Sequence, residues 1–91
     1  QQAALFSAVA FQDIRGRVAT QLLQLATTHG EPGPRGTRIN LKLTQGTLAA
    51  MVAATRENVN RALASYIADG DIVQESGYFT IVRAERLREE L

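Results

Sequence analysis

The chain contains no cysteine and no tryptophan, and it has one histidine and one methionine among its 91 residues. Without cysteine there is no disulfide, no thiolate nucleophile and no zinc site built from thiolates. The only histidine, His29, cannot form a histidine cluster, and we assign no metal ligand. A glycine-rich phosphate loop, a nucleophile beside a base and a carboxylate pair in an apolar setting are also missing. The sequence therefore predicts a protein that is not an enzyme.

Long hydrophobic runs are missing as well. No apolar stretch approaches the roughly 18 residues that a membrane span needs, and the first residues show no secretory signal. We therefore expect a cytoplasmic protein with no membrane partner. The hydrophobic fraction of 45% and the regular spacing of turn residues argue against disorder. A chain of this length builds one small domain with a single modest core.

Apolar residues at helical spacing predict a first helix over residues 14–28. Asp13 is the candidate N-cap, and His29 and Gly30 provide ordinary stop signals. The apolar positions recur three, four or seven residues apart, as one buried helix face requires: Ile14, Val18, Leu22 and Leu25.

Short strands are predicted on either side of the central helices. Residues 31–37 hold both prolines of the chain and two glycines, which is typical of a loop, and residues 38–42 alternate as a short strand does. Near the C-terminus, two strands around a turn at residues 75–77 predict a β-hairpin, or wing. A terminal helix or turn follows over residues 84–91, with Leu87 and Leu91 expected to face the core.

The central stretch from Leu43 to Ile72 predicts two helices joined by a tight turn. Thr44 and Thr55 are the expected N-caps, Ala53 and Ala54 form the turn, and Gly70 ends the second helix. Four residues are expected to form the buried side of the first helix: Leu48, Ala49, Met51 and Val52. Gly46 inside this helix costs about 1 kcal/mol relative to alanine, and no stability reason explains it.

The second helix has two chemically different faces. At 100° per residue, the polar residues Arg56, Glu57, Asn60 and Arg61 share one side. The apolar residues Val59, Ala62, Leu63 and Tyr66 share the other. Arginine bonds guanine O6 and N7 with two hydrogen bonds, and glutamate accepts from cytosine N4. This helix therefore predicts base reading in the major groove of double-stranded DNA.

Three other interpretations fit a charged helix face. It can be a solvated surface in which Glu57 and Arg61 pair at i,i+4 for about 0.2–0.5 kcal/mol. Alternatively, the chain is a winged-helix protein-interaction module without DNA binding, but such a module more often exposes an apolar patch. RNA or shape-based nucleic-acid binding is a third reading. Local charge favours DNA, because residues 35–61 hold five basic side chains against one acidic side chain, which attracts phosphate. The field is weak, so we expect a dimer on DNA.

These motifs together resemble the C-terminal DNA-binding domain of the Crp/Fnr family of bacterial transcription regulators. Asp13, Gly16 and Arg17 match its D-x-x-G-R start. The stretch LTQGTLAAMVAATRENVNRAL matches its helix-turn-helix pattern, L-T-x-x-x-[LI]-A followed by S/T-R-E-x-V-x-R. The resemblance covers essentially residues 8–83. It implies an α+β winged helix-turn-helix that is mainly helical, with a small antiparallel β-hairpin as the wing.

The resemblance also assigns roles to individual residues. The recognition helix, about residues 55–69, places Arg56, Glu57 and Arg61 against bases. The residues expected at the DNA backbone are Thr44, Gln45, Thr55, Asn58 and Asn60. The implied target is a palindrome with TGTGA-like half-sites. Two departures from the family pattern affect the fine docking: Gly46-Thr47 replaces a polar pair, and Ala53 stands where glycine is frequent.

The resemblance further implies that residues 1–12 are the tail of a dimerisation helix and the hinge, and that residues 13–91 are the DNA-binding domain. Family members carry an N-terminal sensor domain that binds a cyclic nucleotide or another effector, so no cofactor is expected within these residues. The full-length protein is expected to be a homodimer. RNA polymerase is a further expected partner, although residues 31–38 do not match the family sequence there.

Overall fold

The computed structural model describes residues 9–91 as four helices and one antiparallel sheet. In chain order the elements are α1 (Phe11–His29), β1 (Gly30–Gly33), β2 (Gly36–Ile39), α2 (Gln45–Val52), α3 (Arg56–Ala68), β3 (Ile72–Glu75), β4 (Tyr78–Ile81) and α4 (Ala84–Arg88). The strand order in the sheet is β1-β2-β4-β3. This arrangement confirms the predicted α+β winged helix-turn-helix. The predicted dimerisation tail falls mostly on residues 1–8, outside the described residues.

Helix α1 buries the four predicted apolar positions and also Ala19. The prediction that Asp13 caps it is wrong, because the helix begins two residues earlier. Ala10 already has helical backbone angles, so Asp13 lies in the first turn and pairs with Arg17 at i,i+4. The predicted stop is confirmed, because α1 ends at His29 and β1 begins at Gly30. A Cβ on Gly30 would lie 2.1 Å from the Ala26 carbonyl oxygen, so glycine is needed there.

The prediction of a loop over residues 31–37 is wrong, because most of this segment forms the hairpin β1–β2. Pro32 lies on β1, the edge strand, where a missing N–H costs no ladder hydrogen bond. Gly36 has φ +139°, and a Cβ on it would lie 2.1 Å from the Ile81 carbonyl oxygen. The alternating segment predicted at residues 38–42 pairs only as far as Ile39.

The predicted wing is confirmed as β3 and β4. Ser76 and Gly77 have φ values of 55° and 84°, as a two-residue hairpin turn of type I′ requires. β4 also pairs with β2, so the wing continues into the hairpin that follows α1. The two hairpins therefore brace one another.

The core lies between the sheet, α1 and α3, with Leu22, Tyr66 and Phe79 among its largest fully buried side chains. Leu87 of α4 is buried as predicted, but Leu91 is 67% exposed, so that expectation is wrong. The predicted burial of Met51 is also wrong, since this residue is 44% exposed. At 100° per residue, Met51 falls outside the narrow arc that Leu48, Ala49 and Val52 share on the short helix α2.

Candidate nucleic-acid interface

Helices α2 and α3 begin at the two predicted threonine caps. The Thr44 hydroxyl accepts from the Thr47 N–H at 3.0 Å, and the Thr55 hydroxyl accepts from the Asn58 N–H at 3.1 Å. A cap of this kind is worth about 0.5–2 kcal/mol. Thr44 also donates to the Thr47 hydroxyl oxygen at 2.8 Å. Both caps fix where each helix begins and leave the threonines exposed.

The turn between α2 and α3 is closed by Ala53 in the left-handed region, with φ 57° and ψ 50°. Arg17 of α1 reaches this turn and donates to the carbonyl oxygens of Val52 at 2.7 Å and Ala53 at 3.2 Å. Asp13 holds the same guanidinium at 2.9 Å. The Asp13–Arg17 pair therefore satisfies carbonyls at the end of α2 and ties α1 to the helix-turn-helix. The sequence motif contained both residues, but the contact was not predicted.

Replacing Ala53 by glycine is expected to stabilise the chain. The left-handed conformation costs an alanine about 1–2 kcal/mol, whereas glycine adopts it freely but loses about 0.5–1 kcal/mol more entropy on folding. The expected net gain is about 0.5–1 kcal/mol, measured by denaturant unfolding. Ala54→Gly is the matched control and should be destabilising, because Ala54 is not among the residues with positive φ. If both variants lose stability, relief of backbone strain at Ala53 does not outweigh the entropy that glycine loses on folding, and the prediction is wrong.

Helix α3 is anchored by its apolar side, as predicted, with Val59, Ala62, Leu63 and Tyr66 buried. The Tyr66 hydroxyl donates to the Arg15 carbonyl oxygen at 2.8 Å. The Arg15 guanidinium lies 4.3 Å from the Tyr66 ring centroid and pairs with Glu90 at 3.3 Å. Burial raises the pKa of Tyr66 well above its usual value, so the phenol stays protonated and donates. No sequence signal pointed to Arg15 in this role.

The opposite side of α3 is open to solvent. Arg56, Glu57, Asn60 and Arg61 are exposed, as the helical angles predicted, whereas Asn58 and Gln45 are half-buried. Within residues 9–91, no salt bridge joins Glu57 to Arg61. The solvated i,i+4 pair of the alternative interpretation is therefore not formed. The charged groups of this face, Arg56, Glu57 and Arg61, remain available for a ligand.

Two of these side chains have neighbours that the sequence did not reveal. A Cβ built on Gly46 would lie 3.8 Å from Cδ of Arg56, at ordinary van der Waals distance. Gly46 therefore lies beside the Arg56 stem, and packing does not require glycine at this position. The Arg61 guanidinium carbon lies 5.2 Å from the ring centroid of Phe11, the first residue of α1.

The basic residues before α2 are partly engaged on the sheet. Arg35 forms a salt bridge with Glu75 of β3, and the Arg38 guanidinium lies 4.2 Å from the Tyr78 ring centroid. The Lys42 stem runs over the wing turn, within 3.2 Å of where a Cβ on Gly77 would stand. The positive charge expected around the helix pair is therefore reduced at Arg35. The positive charge around α2 and α3 is therefore weak, as the sequence indicated.

Helices α2 and α3, braced by α1 and followed by a hairpin, define a winged helix-turn-helix domain with a polar recognition helix. Residues 16–90 match the model of the Crp-like helix-turn-helix domain. The chain belongs to this family. No helix within residues 9–91 is long and apolar enough to cross a membrane, and the same residues contain no cluster of three potential metal ligands.

Named relatives agree with this assignment. Over 77 residues the chain is 44% identical to a CRP-like cAMP-activated global transcriptional regulator of Mycobacterium tuberculosis, covering 85% of this chain and 34% of that protein. It is 35% identical over 78 residues to the anaerobic regulatory protein of Bacillus subtilis, covering 85% and 33%. The chain thus spans about a third of the length of these relatives.

A solved structure shows the same fold. The imidazole-bound CO-dependent transcription factor CooA from Carboxydothermus hydrogenoformans superimposes with a TM-score of 0.83. The match covers 98% of this chain and 41% of that chain at 24% identity. At this identity the likeness concerns the fold alone.

Proposed function

We propose that this chain is the sequence-specific, double-stranded DNA-binding domain of a bacterial transcription regulator, with α3 in the major groove. The observation that carries the proposal is the exposed face of α3, on which Arg56, Glu57 and Arg61 make no salt bridge to one another within residues 9–91. The buried side of the same helix fixes its orientation. A rigid helix with exposed arginine and carboxylate groups is suited to reading base edges.

Each charged residue has a proposed partner. Arg56 and Arg61 each bond a guanine through O6 and N7, and Glu57 accepts from the N4 group of a cytosine on the opposite strand that is paired with a guanine of the half-site. A carboxylate at this position finds no donor on guanine or thymine. The resulting half-site contains two guanines and resembles TGTGA. Asn60 lies beside these residues on the same face and contacts the DNA backbone in this proposal.

Phosphate contacts are proposed at the beginnings of α2 and α3. Thr44 and Thr55 are the exposed N-caps, Gln45 is the first residue of α2, and Asn58 lies in the first turn of α3. Free N–H groups and the helix dipole make such ends favourable for anions. These contacts would fix the register of the domain on the duplex without reading sequence.

The chain is proposed to act as a homodimer on a palindrome whose half-sites lie about one helical turn apart. The weak basic charge of one copy motivates this. We expect fusion of the N-terminus to a parallel dimeric coiled coil to tighten binding to a palindromic TGTGA-type duplex by about 10²–10⁴-fold, because the second contact becomes intramolecular. Fluorescence anisotropy at physiological salt measures the affinity.

Two control duplexes accompany this experiment. A duplex with one half-site should gain much less from the fusion, and a scrambled duplex should bind weakly in either form. If the unfused chain binds the single half-site as tightly as the fusion binds the palindrome, dimeric recognition is wrong. If scrambled and palindromic duplexes bind equally, the proposal of sequence-specific binding is wrong.

The remaining roles belong to the whole protein. The relative in Mycobacterium tuberculosis is by name activated by cAMP, and we propose that a cyclic nucleotide or another effector acts through a separate sensor domain. RNA polymerase is a proposed partner in the cytoplasm. The alternative of a protein-interaction module is not favoured, because the relative in Mycobacterium tuberculosis is by name a transcriptional regulator and the exposed face of α3 is polar rather than apolar.

A further inference from the structure

The interface between α1 and α3 reaches the edge of the proposed base-reading face. Arg15 of α1 hydrogen-bonds Ser65 and stacks on Tyr66 of α3. One turn earlier on both helices, Phe11 meets Arg61, with 5.2 Å between the ring centroid and the guanidinium carbon. The Phe11–Arg61 contact is therefore the last step of a continuous interface. Arg61 belongs at once to this interface and to the exposed face.

The contact holds Arg61 toward α1. Phe11 is half-buried and packs against the core, so its ring is a fixed platform, whereas Arg61 is exposed and its stem can turn. Among the described residues, Arg61 has no salt bridge and no side-chain hydrogen bond. A guanidinium within about 6 Å of a ring centroid is attracted to the ring face. At an exposed site this favours the contact by a factor of about 2 to 5.

Helical geometry explains why this position matters. With Arg56 at 0°, Glu57 lies near 100° and Arg61 near 140°, while Ser65 in the α1 interface lies near 180°. Arg61 therefore stands at the border between the DNA-facing side and the α1 interface. A guanidinium resting on Phe11 is turned away from the centre of the base-reading face.

We infer that Phe11 is a positioning residue for Arg61, and that guanine must displace the Arg61 guanidinium from the Phe11 ring. This inference rests on the proposed base-reading role of Arg61. The start of α1 then competes with DNA for one of the two guanine-reading arginines. Any rearrangement that moves Phe11 away from α3 would raise the contribution of Arg61 to binding, so the first turn of α1 can regulate sequence reading.

The test is a double-mutant cycle in the 91-residue chain with Phe11→Leu and Arg61→Ala. Phe11→Leu keeps an apolar side chain but removes the ring, and we expect it to tighten binding to a palindromic TGTGA-type duplex about 2- to 5-fold. In the Arg61→Ala background the same change should have no effect. Phe11→Tyr retains the ring and should bind like the original chain. Melting temperatures confirm that each variant is folded.

A spectroscopic measurement makes the test independent of DNA affinity. In the DNA-free chain, the Arg61 δ-methylene protons should be shifted upfield in the NMR spectrum by the Phe11 ring current. Phe11→Tyr should keep this shift, and addition of the palindromic duplex should remove it. An unshifted Arg61 signal in the DNA-free chain overturns the contact itself, even if Phe11→Leu is too unstable for titration.

The outcomes separate the two claims. If Arg61→Ala leaves guanine preference unchanged, the proposed base-reading role of Arg61 fails. If Arg61→Ala loses that preference but Phe11→Leu changes binding equally in both backgrounds, or not at all, only the positioning role fails. Weaker binding by Phe11→Leu that depends on Arg61 also overturns the inference, because the ring would then prepare Arg61 for DNA.

Discussion

Arg61→Ala is expected to weaken binding to a TGTGA-type palindrome by about 1–3 kcal/mol per half-site, because one bidentate guanine contact is lost. Binding to random DNA should weaken much less, since only one positive charge is removed. The discriminating quantity is the ratio of the two affinities, measured by titration at two salt concentrations. The original chain and the Arg61→Ala variant should bind almost equally to a palindrome in which the guanine contacted by Arg61 is replaced.

Arg88→Ala is the matched control, because it removes an exposed arginine from α4 rather than from α3. It changes the net charge equally and should leave the specificity ratio unchanged. If Arg61→Ala loses the same factor on specific and random DNA, Arg61 only attracts phosphate. In that case the guanine contact proposed for Arg61 is wrong.

Tyr66→Ala is expected to cost about 3–5 kcal/mol of unfolding free energy, the usual range for deleting a large buried aromatic side chain. Tyr66 is fully buried and joins α3 to α1 through the Arg15 carbonyl and guanidinium. Since small domains have about 5–15 kcal/mol of stability in total, this variant should be close to unfolding at 25 °C. Denaturant unfolding followed by circular dichroism measures the loss.

Tyr66→Phe separates the hydrogen bond from the packing. It keeps the ring over Arg15 and removes the donor to the Arg15 carbonyl, so a loss of about 0.5–1.5 kcal/mol is expected. If Tyr66→Phe were as damaging as Tyr66→Ala, the hydrogen bond rather than the buried ring would hold α3 on α1. If neither variant changed stability, the described anchoring of α3 would be wrong.

Local chemistry explains why the helix pair could be predicted from the sequence. Thr44 and Thr55 are caps whose hydroxyls satisfy nearby N–H groups, so their role depends only on residues three positions away. The apolar side of α3 follows helical periodicity. The Ser76-Gly77 turn has the positive φ angles that a tight hairpin demands. In each case the determining residues are close together in the chain.

The features that escaped prediction depend on contacts between distant segments. β1 pairs with β2 although β1 carries Pro32, because β1 is an edge strand of the sheet. Its position at the edge depends on the pairing of β2 with the distant strand β4, which the sequence does not reveal. Arg17 at the turn between α2 and α3, and Arg61 against Phe11, join residues at least 35 positions apart. Charge counting also missed the salt bridge between Arg35 and Glu75, which connects two different hairpins.

Selection from a pool of random duplexes tests the central claim most directly. The chain fused to a dimeric coiled coil should enrich a palindrome whose half-sites each hold two guanines one or two base pairs apart, with centres about one helical turn apart. Arg61→Ala in the same fusion should relax the preference at one guanine of each half-site and leave the other. Recovery of unenriched sequences by the unmodified fusion would contradict sequence-specific DNA binding by α3.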